Sequence, residues 1–448
     1  METMAATNDS IAAIATPPGA GGIGVVRVSG PAARTVAATF LGRQPKPRFA
    51  HYAAFTDADG AVIDRGLVLF FNAPHSYTGE DVLELHAHGS VPVLHALMRR
   101  LADFGIRMAR PGEFSERAFL NGKLDLAQAE AVADLISAGT EAAARAAMRS
   151  LDGEFSRRVH ALTESVTVLR LKVEAAIDFS DEPVESLSNA TLLASVEAID
   201  AEFAALLKDA KQGQRLTQTP HVAIIGAPNA GKSSLLNALA QSERAIVSAV
   251  PGTTRDVLRE TVEVDGVLMA LADTAGLRES SDEIEREGMR RARAELERSD
   301  VVLIVSESDV PDPALLEGLG TATVLFVRNK IDRDGLLPGV ETDAAGRTTI
   351  RVSAKSGEGI ELLRAELSRA ADLGDGQQGF SARARHIEAL ERARSALHRV
   401  RQSLANLQAL ELSAEDLRQV QAALGKITGV FGVEDLLGRI FANFCIGK

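Results

Sequence analysis

Gly226-Ala-Pro-Asn-Ala-Gly231-Lys232-Ser233 is the stretch on which the fold turns. It matches the pattern G-x-x-x-x-G-K-[ST]. The apolar run Val222–Ile225 before it predicts a strand, and the run Ser234–Ala240 after it predicts a helix. Glycines suit such a loop because backbone N–H groups must wrap phosphate oxygens without Cβ interference. The helix N-terminus adds partial positive charge. Lys232 is placed to reach the β- and γ-phosphates, and Ser233 offers a hydroxyl to Mg²⁺.

Working outward, residues 221–373 alternate apolar strand-like runs with helical periods. Strands are predicted at Val222–Ile225, Leu268–Ala272, Val301–Val305, Val324–Val327 and Thr349–Val352. Such alternation predicts a parallel sheet with helices on both faces. Asn329-Lys330-Ile331-Asp332 follows the fourth of these strands. A carboxylate at Asp332 can accept from guanine N1–H and the exocyclic amine, a donor pair that adenine lacks. Ser353-Ala354-Lys355, after the fifth strand, can supply a backbone N–H to guanine O6. Asp273-Thr274-Ala275-Gly276 and Gly252-Thr253-Thr254-Arg255-Asp256 lie between these elements. Asp273 suits an indirect, water-mediated role at Mg²⁺, and Gly276 brings a backbone N–H to the γ-phosphate. Thr254, or alternatively Thr253, completes the Mg²⁺ shell. Loops of this kind order on the γ-phosphate and relax after hydrolysis.

One position departs from small GTPases, where a glutamine after D-T-A-G orients the attacking water. Here it is Leu277, which cannot do so. The acidic run Asp282-Glu283-Ile284-Glu285 follows within reach. The phosphate loop contains no arginine, and a metal cation can neutralise the same charge.

The flanks differ in character. Residues 11–119 mix strand-like runs (Ile23–Val28, Leu67–Phe71, Val82–Leu85) with a helical run Val91–Phe104 that stops before Gly105, which predicts a small α/β domain. Residues 124–209 are rich in Ala and Leu at spacings of three and four, which predicts long antiparallel helices interrupted at Gly153 and Pro183. Residues 211–220 and 374–379 read as polar linkers. The helical period returns at 382–444, so the third domain is expected as an insertion in a discontinuous helical one.

The chain has 448 residues, 46% of them apolar and 25% charged, with a formal net charge of −12. That balance excludes disordered and fibrous classes and predicts about three domains. Such acidity excludes nonspecific nucleic-acid binding over the whole surface, so any RNA contact must be a local basic patch. The best candidate is Arg383, Arg385, Arg392, Arg394, Arg399 and Arg401; the competing reading is an intramolecular ion-pair face. With no Trp and only two Tyr, base stacking on aromatics is a weak option. The single cysteine, Cys445, excludes an internal disulfide or a thiolate zinc cage. No run of 18 apolar residues and no basic n-region is present, so neither a membrane span nor a secretion signal is expected, and a cytoplasmic location is.

Four stretches outside the phosphate loop's domain carry a resemblance: residues 15–24 (A-T-P-P-G-A-G-G-I-G), 78–85 (T-G-E-D-V-L-E-L), 110–126 (R-P-G-E-F-S-E-R-A-F-L-N-G-K-L-D-L) and 444–448 (F-C-I-G-K). With Asn229 in the phosphate loop, the chain resembles the tRNA-modification GTPase MnmE (TrmE) family over essentially its whole length. The resemblance implies an N-terminal α/β folate-binding and dimerisation domain at residues 1–119. It implies a helical domain at 120–212 and 377–448, interrupted by a Ras-like P-loop GTPase domain with a mainly parallel sheet at 213–376.

The implied activity is GTP hydrolysis coupled to modification of tRNA. With the FAD-containing flavoprotein MnmG, a homodimer of this family adds an aminomethyl or carboxymethylaminomethyl group to C5 of the wobble uridine. A 5,10-methylene- or 5-formyl-tetrahydrofolate supplies the one-carbon unit. The resemblance implies folate contacts at Arg27, Glu84, Lys123 and Lys448, and a K⁺ site at Asn229, Ser248, Val250 and Thr253. Family members often carry Thr and Ile at the positions of Ser248 and Val250; Val250 acts through its carbonyl. It singles out Glu285 as the water-positioning carboxylate, beside Lys232 and Thr254 as catalytic residues. The implied GTP-binding set is Asn229, Ala230, Gly231, Lys232, Ser233, Ser234, Ser248, Ala249, Val250, Pro251, Gly252, Thr253, Thr254, Asp273, Thr274, Ala275, Gly276, Asn329, Lys330, Asp332, Ser353, Ala354 and Lys355. Mg²⁺ falls to Ser233 and Thr254. Cys445 lies near the folate site in that family and is left unassigned between a core thiol and a catalytic one. The competing function is a regulatory GTPase that binds ribosomal RNA; it explains residues 221–373 but not the N-terminal motifs.

Overall fold

The computed structural model describes residues 9–178, 188–217, 220–227, 229–241, 259–264, 267–273, 296, 299–308, 322–344, 346–370, 379–405, 410–430, 440, 444 and 447. The chain divides into two compact units: residues 1–133, 151–199 and 392–448 form one, and residues 134–150 and 200–391 the other.

The first unit is built on strands β1 (Ile11–Ile14), β2 (Gly21–Ser29), β3 (His51–Thr56), β4 (Val62–Phe71), β5 (Val82–Gly89) and β6 (Arg107–Met108). They form one sheet in the order β3-β4-β5-β2-β1-β6, antiparallel except for the β1–β6 pair. Alternation along the strands sends Val26, Val28, Phe55, Val68, Phe70, Leu83 and Leu85 to one side. There they pack with Val36 and Phe40 of α1 (Ala33–Leu41) and Leu94, Leu97 and Leu101 of α2 (Val91–Ala102). Each such side chain contributes roughly 1.5–3 kcal/mol by leaving water. The opposite side carries Arg27 and Glu84, directly paired in the β2–β5 register. At the β1 end, Ile11 and Ala13 pack with Phe114 of α3 (Glu113–Leu120). The expected mix of strands and helices is thus present, with β1, β3, β6, α1 and α3 in addition to the expected elements.

Four further helices follow: α4 (Leu126–Ser137), α5 (Glu141–Leu151), α6 (Glu154–Asp178) and α7 (Asn189–Thr217). Asp125 and Gln128 start α4 with a reciprocal cap: the Gln128 N–H donates to Asp125 Oδ1 (2.8 Å), and the Asp125 N–H donates to Gln128 Oε1 (3.0 Å). Gly153, at φ +82°, separates α5 from α6 as expected; Pro183 lies outside the described residues. Helix α6 buries Phe155, Val159, Leu162, Val166, Leu169 and Val173, a strict 4-3-4-3-4 spacing.

The second sheet contains β7 (His221–Gly226), β8 (Arg259–Val264), β9 (Val267–Asp273), β10 (Val301–Ser306), β11 (Thr323–Arg328), β12 (Gly339–Thr342) and β13 (Thr348–Arg351), in the order β12-β13-β11-β10-β7-β9-β8. Five central strands are parallel, as expected, while β8 and β12 add antiparallel edges. Val222, Ile224, Leu303, Val305 and Val327 enter one apolar cluster; Ala223, Ile225, Val302, Ile304 and Phe326 enter another. Consecutive residues therefore go to opposite sides, and both are buried, which is why these strands read as unbroken apolar runs. Helices α8 (Lys232–Gln241), α9 (Ile331–Asp334) and α10 (Ile360–Ala370) follow β7, β11 and β13.

Two long helices follow in the described residues, α11 (Ala384–Ala405) and α12 (Leu410–Thr428). Leu417, Val420, Leu424 and Ile427 form the buried stripe of α12, which packs on α6. Gln421 of α12 accepts from Arg170 (2.7 Å) and donates to Thr167 (2.7 Å).

The expected polar linker at 211–220 is a correction: α7 continues through Thr217. Lys, Gln, Arg and Leu are good helix formers, and Leu216 is buried against Ala146. Gly213, mid-helix, is there for close approach, since a Cβ on it would lie 1.8 Å from the Phe380 carbonyl oxygen. The second expected linker lies outside the described residues except for Gly379.

Candidate functional site

The loop after β7 sits at the C-terminal end of a central parallel strand, where an open α/β sheet presents its crevice. Gly226 is required by packing, because a Cβ there would lie 2.2 Å from the Val305 carbonyl oxygen of the neighbouring strand. Asn229 adopts φ +66° and Gly231 φ +89°, so the loop turns its backbone through left-handed conformations. The first turn of α8 then carries Lys232, Ser233 and Ser234, the two serines exposed. The Lys232 ammonium folds back over the loop and donates to the carbonyls of Gly226 (2.9 Å) and Ala227 (3.1 Å).

Two further segments, 329–332 and 353–355, meet beside this loop, and Asn329 ties the three together. Its side chain is 2% exposed. The Asn329 amide donates to the Ala230 carbonyl (2.9 Å), while its oxygen accepts from the N–H groups of Ala354 (3.0 Å) and Lys330 (2.8 Å). Lys330, at φ +67°, reaches back so that its ammonium donates to the Asn229 carbonyl (2.6 Å). Asp332 stands in α9 and accepts from the Ser353 hydroxyl (2.7 Å). That hydrogen bond holds the Asp332 carboxyl below its ordinary range, against a small burial effect, with Lys355 and Arg333 adding to the lowering. The group is thus kept as an acceptor-only carboxylate. Of the three amides at 353–355, the Ser353 N–H donates to the Glu358 carbonyl and the Ala354 N–H to Asn329, so two are used internally.

β7 and β9 pair in parallel with Ile224 opposite Asp273, which sets the Asp273 backbone at the same sheet end as the loop. Residues 248–254, 274–276 and 282–285 lie outside the described residues. The placements expected for Ser248, Ala249, Val250, Pro251, Gly252, Thr253, Thr254, Thr274, Ala275, Gly276 and Glu285 therefore stay sequence-level. Glu307, which sequence reasoning did not single out, pairs with Lys330 at 2.5 Å. The signal was available: an acidic residue immediately after β10, the core strand that pairs with β11.

In the first unit, Arg27 donates to Glu84 Oε1 through Nε (3.0 Å), with a second guanidinium nitrogen at 2.9 Å. His86 lies 3.2 Å from the other Glu84 oxygen. The Arg27 guanidinium lies 5.9 Å from the ring centroids of Tyr77 and Phe114. It also reaches the Gly447 carbonyl at 3.4 Å across 420 positions of sequence. Lys448, the next residue, and Cys445 lie outside the described residues. Lys123 donates to the Pro74 carbonyl (3.1 Å), and its stem packs against Gly79, at φ +79°.

A buried ion network supports this region. Arg117 and Glu113 are 4% and 2% exposed. Arg117 bridges Glu113 (3.2 Å), Asp9 (2.8 Å) and Glu80 (3.1 Å), and Arg107 adds a bond to Glu113 (2.5 Å). Burial pushes the Glu113 carboxyl up, but hydrogen bonds from Arg107, the Arg110 N–H and Arg117 outweigh it and bring it down to about 2. Glu80 in turn accepts from Ser29 (2.7 Å), whose hydroxyl also meets Thr78 (2.6 Å).

The arginine stripe is engaged within the chain. Arg383 pairs with Asp134 (2.6 Å), Arg399 with Asp416 (2.8 Å) and Arg401 with Glu197 (2.9 Å). Arg385, Arg392 and Arg394 also make interactions of their own. This favours the ion-pair reading of the stripe.

Residues 10–123 match the family described as the N-terminus of the GTP-binding protein TrmE, and residues 126–445 match the MnmE helical domain. The chain belongs to the MnmE family. A curated tRNA modification GTPase MnmE from Stutzerimonas stutzeri (strain A1501) is 52% identical over 99% of this chain and 100% of its own length. The protein of the same name from Methylococcus capsulatus (strain Bath) is 51% identical over 98% of this chain and 99% of its own. Among solved structures, the G domain of the T. maritima FeoB iron transporter is 28% identical, covering 34% of this chain and 99% of that chain at a TM-score of 0.27. No described helix is long and apolar enough to cross a membrane.

Proposed function

We propose that this MnmE-family chain is a potassium-dependent GTPase that, with the flavoprotein MnmG, modifies C5 of the wobble uridine of certain tRNAs in the cytoplasm. The observation that carries the nucleotide reading is the convergence of the phosphate loop, Asn329–Asp332 and Ser353–Lys355 through the Asn329 side chain. Asp332, kept ionised, selects guanine, and the loop amides with Lys232 take the phosphates. The proposed domains are 1–119 for folate binding and dimerisation, 120–212 and 377–448 for the helical domain, and 213–376 for the inserted G domain.

The donor set at Asn229, Ser248, Val250 and Thr253 consists of neutral amide, hydroxyl and carbonyl oxygens, which suits a monovalent cation. The left-handed turn at Asn229 lies within the phosphate loop itself. Ser233 and Thr254 supply hydroxyls for Mg²⁺. The cations, when bound, neutralise charge developing on the transferring phosphoryl group, as an arginine finger does elsewhere. Glu285 orients the attacking water, a task that Leu277 cannot perform. In the N-terminal unit, Glu84 accepts from a pterin's amine and ring N–H, while Arg27, Lys123 and Lys448 meet the anionic glutamyl tail of a tetrahydrofolate. The Arg27–Glu84 pair and the approach of Gly447 to Arg27 support that grouping.

Nucleoside analysis of tRNA from a deletion strain tests the reading: wobble uridines lacking the C5 substituent are expected. Folate binding by the full chain separates it from a regulator of ribosomal RNA, which needs none. Hydrolysis is expected to be faster in K⁺ than in Na⁺ at matched ionic strength, and Asn229→Ala to remove most of that difference. Equal rates for the wild type in the two salts count against the cation site.

A further inference from the structure

Lys330 has two anchors. Its ammonium donates to the Asn229 carbonyl on the phosphate loop at 2.6 Å and to Glu307 Oε1 at 2.5 Å. Glu307 lies directly after β10, whose last residue, Ser306, pairs with Arg328 of β11, two residues before Lys330. Its second oxygen lies 3.9 Å from the guanidinium of Arg333, the neighbour of Asp332. One carboxylate on the adjacent strand end therefore faces the two cations on either side of Asp332 in the sequence. The Lys330 hydrogen bond holds the Glu307 carboxyl below its ordinary range.

A lysine stem has four rotatable bonds and a strongly hydrated head, so a single carbonyl holds it weakly. Lys330 also starts from a left-handed backbone at φ +67°, which directs it toward the loop only while the segment keeps that shape. A second, charged anchor restricts the ammonium before any ligand arrives. Restriction made in advance lowers the ordering cost of binding.

We propose that Glu307 is a positioning residue for guanine-nucleotide binding that acts through Lys330, holding its ammonium on the Asn229 carbonyl and so keeping the base-reading segment docked on the phosphate loop. The role rests on the guanine-site reading given above. Because the pair is partly exposed, the effect is moderate and screened by salt.

The test is stopped-flow dissociation of a fluorescent GDP from the full-length protein. Glu307→Ala is expected to raise the off-rate about 2–5-fold at low ionic strength, with the increase shrinking at high salt. In a Lys330→Ala background, Glu307→Ala should add nothing further, a pattern that general loosening of the fold does not produce. An unchanged off-rate, a slower one, or the same increment in both backgrounds overturns the role. Asp332→Asn, measured alongside, keeps the two readings apart. If it moves preference from guanine to xanthine while Glu307→Ala is silent, only the Glu307 role falls. If it leaves base preference unchanged, the guanine site falls and the Glu307 role with it.

Discussion

The two sheets put their chemistry in different places. In the sheet built on β7, apolar clusters cover both sides of the central strands β7, β10 and β11. The side chains proposed for nucleotide binding lie beyond the strand ends: Lys232 after β7, Asp332 after β11 and Ser353 after β13. In the sheet built on β2 and β5, one side is apolar core, and the other carries Arg27, Glu84 and His86 on the strands themselves. A doubly covered sheet confines binding to its loops, which can change without touching the core. In the first sheet the face with Arg27 and Glu84 is also the back of the core, and Phe114 of α3 covers its β1 end by packing on Ile11 and Ala13. The network of Arg117, Glu113, Glu80 and Asp9 stands on that same side, joined to the sheet where Ser29, two residues from Arg27, donates to Glu80.

Three substitutions can break or sharpen this contrast. Asp332→Asn, at a strand end, should cut GTP affinity by about 10²-fold or more and admit xanthine nucleotide, because an amide can donate where the carboxylate only accepted. Thermal stability should stay within about 0.5 kcal/mol of the wild type. Nucleotide titration beside a melting curve checks both, and a large stability loss would erase the distinction between loop and core.

Glu113→Gln, in α3 on the Arg27 side of the first sheet, should do the reverse. Losing one partner of a buried ion pair costs roughly 3–5 kcal/mol, read by denaturant unfolding, while GTP affinity is retained. The wild-type contribution also has a pH window. The folded Glu113 carboxyl sits at about 2, below the ordinary value of 4.5. Its stabilisation is therefore complete above about pH 4.5 and is lost as pH falls toward 2. Acid unfolding of the Gln variant should lack that part of the slope.

The smallest effect expected is at Gly213. Helix propensity alone favours alanine over glycine by about 1 kcal/mol. A Cβ, however, would meet the Phe380 carbonyl oxygen at 1.8 Å. Gly213→Ala should therefore destabilise by about 1–3 kcal/mol, and a stabilised variant would show that the contact relaxes freely.

The same residue shows where local reading fails. Residues 211–220 look like a linker because they are polar and contain a glycine, yet α7 runs to Thr217. Polarity there belongs to the exposed side of a helix, and the glycine answers to a backbone far away in sequence. The edge strands β8 and β12 were also missed, since an edge strand needs only one apolar side and gives no continuous run. The arginine stripe was legible as charge, but its partners Asp134, Asp416 and Glu197 come from other helices.

By itself the sequence determined the elements whose signal is local. Unbroken apolar runs marked the central strands of the second sheet, and periods of three and four marked α6 and α12. Glycine spacing marked the phosphate loop, and the resemblance of the N-terminal motifs agrees with the family matches. Only the tertiary structure decided which groups meet. It made Asn329 a tie among three segments, gave Lys330 a carboxylate partner in Glu307, and brought Gly447 to Arg27. The physical reason is that hydrophobic periodicity and turn chemistry act over a few residues, whereas a hydrogen bond depends on distance in space. Sequence spacing constrains that distance only within one helix or strand.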